Sequence, residues 1–308
     1  MKKIISFWKF SRPHTIIGTT VSIITLYLLT NKISDQSLQV VPLDLVFTLI
    51  SCLGCNVFIT GLNQIYDIEI DRLNKPNLPL VNGEISLAEA KKIVTLSLTI
   101  SLFFAFFQGF YFGGLISIIA LIGAIYTIPP IRLKKHHLWA AISISLVRGP
   151  LVNLGVFCHF YMVRFGFPIK LNIDIMLLTA FITVFSVGIA WFKDIPDVEG
   201  DLKNNIQTLS VKYSKQKALI GGLLLVGLVY ILSIFIAFLP FLTDWIGINN
   251  PISLKGNHLI FGFYHIVALI YFVYSGLKVN VDTQAEIKKF YMTYWILFFF
   301  EYLVFAFL

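Results

Sequence analysis

Runs of about twenty apolar residues follow one another along this chain, separated by short polar stretches. They predict nine helices, over residues 13–30, 43–66, 89–110, 112–128, 137–160, 172–193, 215–240, 257–276 and 288–307. Each is close to the roughly 20 residues a helix needs to cross about 30 Å of hydrocarbon. The longest polar stretches, 67–88 and 194–214, are the places to look for function, because long loops in compact proteins usually carry it. The opening "MKKIISFWKFSRPHT" is basic and amphipathic, which predicts a helix lying in the membrane interface ahead of the first span.

Composition places the chain among membrane proteins: 57% of its 308 residues are hydrophobic, 13% are charged, and the mean hydropathy is +0.82. The reading is an all-α integral membrane protein forming one domain over 1–308, with no room for a soluble one. Nineteen Lys and Arg fall at the N-terminus and in the even-to-odd loops, four fall on the other side, and Arg148 lies within a span. That asymmetry places the N-terminus and both long polar loops on the cytoplasmic or stromal side. The net charge of +8 is therefore topological, and no basic segment interleaved with aromatics suggests a nucleic-acid partner. Cys52, Cys55 and Cys158 read as small side chains packed between helices.

Charge gathers at two matching points. "NQIYDIEIDRLNKPN" ends the second span, and on a continuing helix Asn63, Asp67 and Asp71 share one face at i, i+4 and i+8. "WFKDIPDVEGDLKNN" ends the sixth span and repeats the spacing with Asp197 and Asp201. Asp194 points about 60° away from Asp197 on an ideal helix, as a hydrogen-bond partner for substrate or a cation, although Pro196 disturbs that geometry. Four spans separate the two ends, so the chain reads as two pseudo-repeated four-helix halves plus one helix.

One such end alone is equally well a solvated helix terminus, but two ends change the balance. Clustered carboxylates repel and raise one another's pKa, so a cation belongs between them. Oxygen-only ligands suit Mg²⁺, and no Cys or His stands at zinc-like spacing. Arg72, Lys75, Lys193 and Lys203 flank the acids, and "YTIPPIRLKKHH" adds Arg132, Lys134 and Lys135. Acids that hold Mg²⁺, ringed by cations, describe a diphosphate site. At the mouth of an apolar bundle, the fitting ligand is an isoprenyl diphosphate.

Arg148, in "SISLVRGPLVNLG", is costly inside a span and so marks a functional site, with Asn153 as a second contact and Gly149–Pro150 opening the helix; the competing reading pairs it with a buried acid or lets it snorkel. Glu301 reads as a structural partner near the far side. Arg12 and His14, in "SRPHT", lie at the mouth, as substrate contacts or as interfacial anchors.

N-x-x-x-D-x-x-x-D after the second span, K-D-x-x-D-x-x-G-D after the sixth and Y-x-x-P-P after the fourth resemble the UbiA superfamily of intramembrane aromatic prenyltransferases, over the whole chain. "FWKFSRPHTIIGTT", "GLNQIYDIEIDRLNKPNLPLVNGEIS" and "FKDIPDVEGD" are most similar to its homogentisate branch in cyanobacteria and plastids. The resemblance implies a catalytic Mg²⁺ held by Asn63, Asp67, Asp71, Asp197 and Asp201, with Tyr126 touching the diphosphate or shielding an allylic cation. It implies transfer of a phytyl group from its diphosphate to homogentisate with decarboxylation, the committed step of tocopherol synthesis, and gives Arg148 a carboxylate to bind. Solanesyl transfer to homogentisate, chlorophyll synthesis and the hydroxybenzoate or dihydroxynaphthoate polyprenyl transfers remain open. A transporter fits less well, since the acids cluster at one end. With no Arg- and Ser-rich presequence at its start, the expected location is a cyanobacterial membrane or an organelle-encoded place in a plastid membrane.

Overall fold

The computed structural model describes residues 2–33, 43–246 and 254–307. The elements are α1 (Lys2–Phe10), α2 (Pro13–Ile33), α3 (Leu43–Tyr66), α4 (Ile68–Asn74), α5 (Leu87–Phe107), α6 (Phe110–Thr127), α7 (His137–Leu146), α8 (Val152–Phe165) and α9 (Ile173–Asp194). After these come α10 (Val198–Lys203), α11 (Leu209–Lys212), α12 (Lys215–Ile246), α13 (His258–Leu277) and α14 (Gln284–Phe307). Nine helices among the described residues are long and apolar enough to cross a membrane, with α7 and α8 counted as one. Helix is what hydrocarbon demands, because a span must satisfy its backbone groups internally.

Local chemistry sets several starts. Ser86 accepts from the Glu89 N–H while Glu89 accepts from the Ser86 N–H, a capping box that opens α5. Asn172 and Asn257 cap α9 and α13, and Pro13 occupies the first turn of α2. The expected interfacial helix is α1, which buries Ser6 and Phe10 and exposes Ile4, Ile5, Phe7 and Trp8.

Small residues let the helices meet. Ser51 and Ser101 donate to each other's carbonyls at 2.9 and 2.7 Å, joining α3 to α5, and a Cβ on Gly54 would lie 2.8 Å from the Ser97 carbonyl. Cys52 and Cys55 are buried free thiols on α3. The aromatic core centres on Phe185 and Tyr294, stacked at 3.9 Å, with the Tyr294 hydroxyl donating to the Phe185 carbonyl. Glu301 is fully buried, 3.3 Å from His265 Nε2.

Pro150 cannot donate to the helix ladder, and α7 passes into α8 through a π turn over Val147–Leu151. Asn153 satisfies the loosened backbone. Its Nδ2 donates to the carbonyls of Arg148 and Gly149, and its Oδ1 accepts from Tyr302.

Candidate active site

Both acidic segments turn where the sequence suggested continuous helix. Helix α3 stops at Tyr66, Asp67 takes φ −111° and ψ 12°, and α4 resumes the helical sense, with the Asp71 N–H donating to the Asp67 carbonyl. Likewise α9 ends at Asp194, Ile195 and Pro196 turn, and Asp197 leads into α10, with the Asp201 N–H donating to the Asp197 carbonyl. Despite the breaks, Asn63, Asp67 and Asp71 border one polar pocket with Asp194, Asp197 and Asp201. The ideal-helix angle that turned Asp194 away fails because the chain leaves the helix there.

The acids have cationic partners. Asp67 takes Arg132 Nη2 on one oxygen at 2.8 Å and Lys134 on the other. Turned to satisfy these neighbours, the Asn63 amide donates to Asp67 Oδ2 at 3.1 Å and accepts from Lys134 Nζ at 3.2 Å. Lys75 bonds Asp197 and lies 3.7 Å from Asp71 Oδ1. Lys193 donates to the Tyr126 hydroxyl at 2.8 Å and lies 3.5 Å from Asp194. The loop carrying Lys134 is fixed to the chain after the second acidic turn by Gln207, whose N–H donates to the Lys135 carbonyl and whose carbonyl accepts from the His137 N–H.

Burial sets the proton affinities. It pulls Lys134 down to about 8 against the pull of Asp67, and it pushes Asp71 up against Lys75 and Arg12. Asp201 is pushed up to about 8 by burial together with Asp194 and Asp197. Burial also works against the charge on Lys75, but Asp197 and Asp71 outweigh it and raise the ammonium.

Arg12, His14, Asn63, Tyr126, Lys193 and Tyr291 also line a second, deeper cavity. Its walls are Ile23, Ile59, Ile116 and Ile119 on one side and Trp295, Phe298 and Tyr302 of α14 on the other. Phe298 is the one phenylalanine among the residues lining this cavity. Arg148 reaches this cavity from the π turn, its guanidinium carbon 4.8 Å from the Trp295 ring centroid and 5.9 Å from that of Phe298. No ion pair joins it to a carboxylate among the described residues. His14 packs edge-on against Trp295.

Two expected contacts lie elsewhere. Arg72 turns outward onto Glu69 at 2.9 Å, and both side chains are exposed, so it borders neither cavity. Asn153 is used up in bracing the π turn. Conversely, Lys134 is buried at the heart of the pocket, and Lys9, Asn74 and Lys288 also line it. A clue to Lys134 was its place two residues after Arg132, where the left-handed backbone of Arg132 (φ 43°) swings the loop over Asp67. Replacing Arg72 with alanine is expected to change turnover by less than about twofold, since exposed pairs contribute about 0–1 kcal/mol; initial rates check this.

A sequence model described as the UbiA prenyltransferase family matches residues 21–297. Homogentisate phytyltransferase of Synechocystis sp. is 42% identical, with 99% of this chain and 96% of that protein aligned. Homogentisate solanesyltransferase of Arabidopsis thaliana is 36% identical over 98% of this chain and 76% of that one. Among solved structures, a UbiA homolog from Archaeoglobus fulgidus bound to GPP and Mg²⁺ superposes with a TM-score of 0.63 at 18% identity, covering 98% of this chain and 99% of the other. That likeness shows a shared fold.

Proposed function

The chain belongs to the UbiA prenyltransferase family, and we propose that this prenyltransferase moves a phytyl group from its diphosphate to homogentisate, with loss of the acetate carboxylate as CO₂. The observation that carries the reading is two acidic turns, each paired with buried or half-buried cations, at the mouth of an apolar cavity that holds an arginine in its wall. The relatives that act on homogentisate favour the acceptor, and the 42% identity to a phytyltransferase favours the tail.

The donor set fits Mg²⁺. Asp71 Oδ2 and Asp197 Oδ1 are buried with no hydrogen-bond partner among the described residues. As the side chains stand, no group of three or more His, Cys, Asp or Glu among the described residues is placed to hold a metal ion. Asp67, Asp71, Asp197, Asp201 and Asn63 would hold it. Bound there, Mg²⁺ would withdraw charge from the leaving diphosphate.

Arg132, Lys75, Lys134 and Lys193 stand where they offset the negative charge that grows as the allylic C–O bond breaks. Tyr126, Tyr291 and Trp295 present ring faces and exclude water from the allylic cation. Arg148, with no acidic partner among the described residues, receives the acceptor carboxylate, and His14 lies beside it against Trp295. Residues 1–308 act as one domain of a multi-pass membrane protein, in a cyanobacterial or plastid membrane, with the acidic turns on the cytoplasmic or stromal side.

Membranes containing the protein, supplied with Mg²⁺, homogentisate and either phytyl or solanesyl diphosphate, are expected to yield the phytyl product by mass, and EDTA is expected to abolish it. Product only with solanesyl diphosphate, or only with chlorophyllide, hydroxybenzoate or dihydroxynaphthoate as acceptor, would overturn the assignment of tail or acceptor.

A further inference from the structure

The two acidic turns share more than their aspartates. "DIEIDRLN" (67–74) and "DVEGDLKN" (197–204) carry Asp, Glu, Asp and Asn at the same four places. The final asparagines do different work. Asn204 caps its own helix, its Nδ2 donating to the Gly200 carbonyl at 2.9 Å. Asn74 instead crosses to the other turn: its Nδ2 donates to the Asp197 carbonyl at 3.2 Å and its Oδ1 accepts from the Gly200 N–H at 3.2 Å. The amide is buried and reads two backbone groups at once, which fixes α10 against α4 in both position and angle.

Two details make this a clamp on the site rather than a surface contact. Lys75, the next residue, bonds the Asp197 carboxylate, so consecutive residues of the first turn hold the main chain and the side chain of the same aspartate. Gly200 leaves no room for another residue: a Cβ there would lie 2.4 Å from Asn74 Oδ1 and 2.5 Å from its Nδ2.

We infer that Asn74 is a positioning residue, which with Gly200 sets the separation of the two aspartate pairs and thereby the affinity for a metal–diphosphate ligand, without touching the acceptor. The inference rests on the proposed diphosphate site. Partners that orient metal ligands typically govern affinity by about 10–100-fold, so Asn74→Ala and Gly200→Ala are each expected to raise the KM for prenyl diphosphate and the half-saturating Mg²⁺ concentration by about that factor. The KM for homogentisate should stay within about twofold. Because both substitutions break one clamp, the double variant should lose little more than either single one.

A readout independent of turnover is the shift in melting temperature of the purified full-length protein on adding Mg²⁺ with inorganic pyrophosphate. Wild type should be stabilised and both variants much less so. If Asn74→Ala does not fold, Asn74→Asp, which keeps the acceptor for Gly200 N–H and loses the donor to Asp197, is expected to give the same pattern. Variants stabilised as fully as wild type, additive losses in the double variant, or a fall in kcat with every KM unchanged would overturn the clamp. A wild type that Mg²⁺ and pyrophosphate do not stabilise would overturn the diphosphate site itself.

Discussion

Asp197→Asn is expected to lower turnover by about 10²–10³-fold, the usual cost of losing one preorganised charge-stabilising element, while leaving the melting temperature nearly unchanged. The substitution keeps the shape of the side chain and the Asn74 bond to its carbonyl, but removes the charge that Lys75 faces and converts one oxygen into a donor. Its Oδ1 has no hydrogen-bond partner among the described residues, and Lys75, which loses the charge on Oδ2, keeps Asp71 at 3.7 Å, so the fold is largely preserved. An alanine at Asp67 is a poorer test. It would strand Lys134 and Arg132, and a buried charge without its partner costs about 3–5 kcal/mol. Initial rates and melting curves on Asp197→Asn decide the matter: turnover above a tenth of wild type would remove Asp197 from the reaction.

Arg148→Gln is expected to raise the KM for homogentisate by about 10–100-fold and leave that for the prenyl diphosphate within about twofold. A hydrogen bond to a charged group contributes about 1.5–3 kcal/mol, and each 1.4 kcal/mol is tenfold. Arg148 sits among rings, stacked near Trp295 and Phe298, and these contacts alone offset only about 0.5–2 kcal/mol of the cost of keeping a guanidinium in a span. In the proposed reaction, the anionic acceptor would supply the rest. If Arg148 served packing alone, the substitution would lower the melting temperature and raise both KM values together, and kinetics with each substrate varied separately tells these apart.

The spans were legible because a membrane helix writes its length into the sequence: Leu43–Tyr66 begins and ends where the apolar run does. The acidic clusters were legible from i, i+4 spacing, and their convergence from the pseudo-repeat. What escaped depends on residues far apart in the chain. Arg72 and Lys75 are both basic and three positions apart, yet one meets exposed Glu69 and the other meets Asp197, 122 residues away. The i, i+4 series from Asn63 through Asp67 and Asp71 runs on to Lys75 and misses Arg72, so spacing separated the two; it could not show that Lys75 meets an aspartate of the other turn. The sequence named Lys134 among the cations after the fourth span, but that it meets Asp67 depends on the left-handed turn at Arg132, and the bracing by Asn153 depends on the carbonyls released around Pro150, neither of which a hydrophobic pattern encodes.

The π turn at Val147–Leu151 also constrains how this protein can evolve. Such a turn amounts to one residue more than an α-helix would hold there. Deleting Pro150 would let this turn tighten into regular helix with the faces of α8 nearly kept. Deleting a residue of α8 ahead of Gly155, where there is no extra residue to give up, would instead rotate everything after it by about 100°. Gly155, which has no room for a Cβ beside Leu115, would swing out of its groove, and Arg164 would lose Asn31 and Tyr27. Substitutions along α8 change one contact at a time, but a change of length within it alters them all. Homologous chains should therefore place any one-residue difference in length at this turn and not within α8.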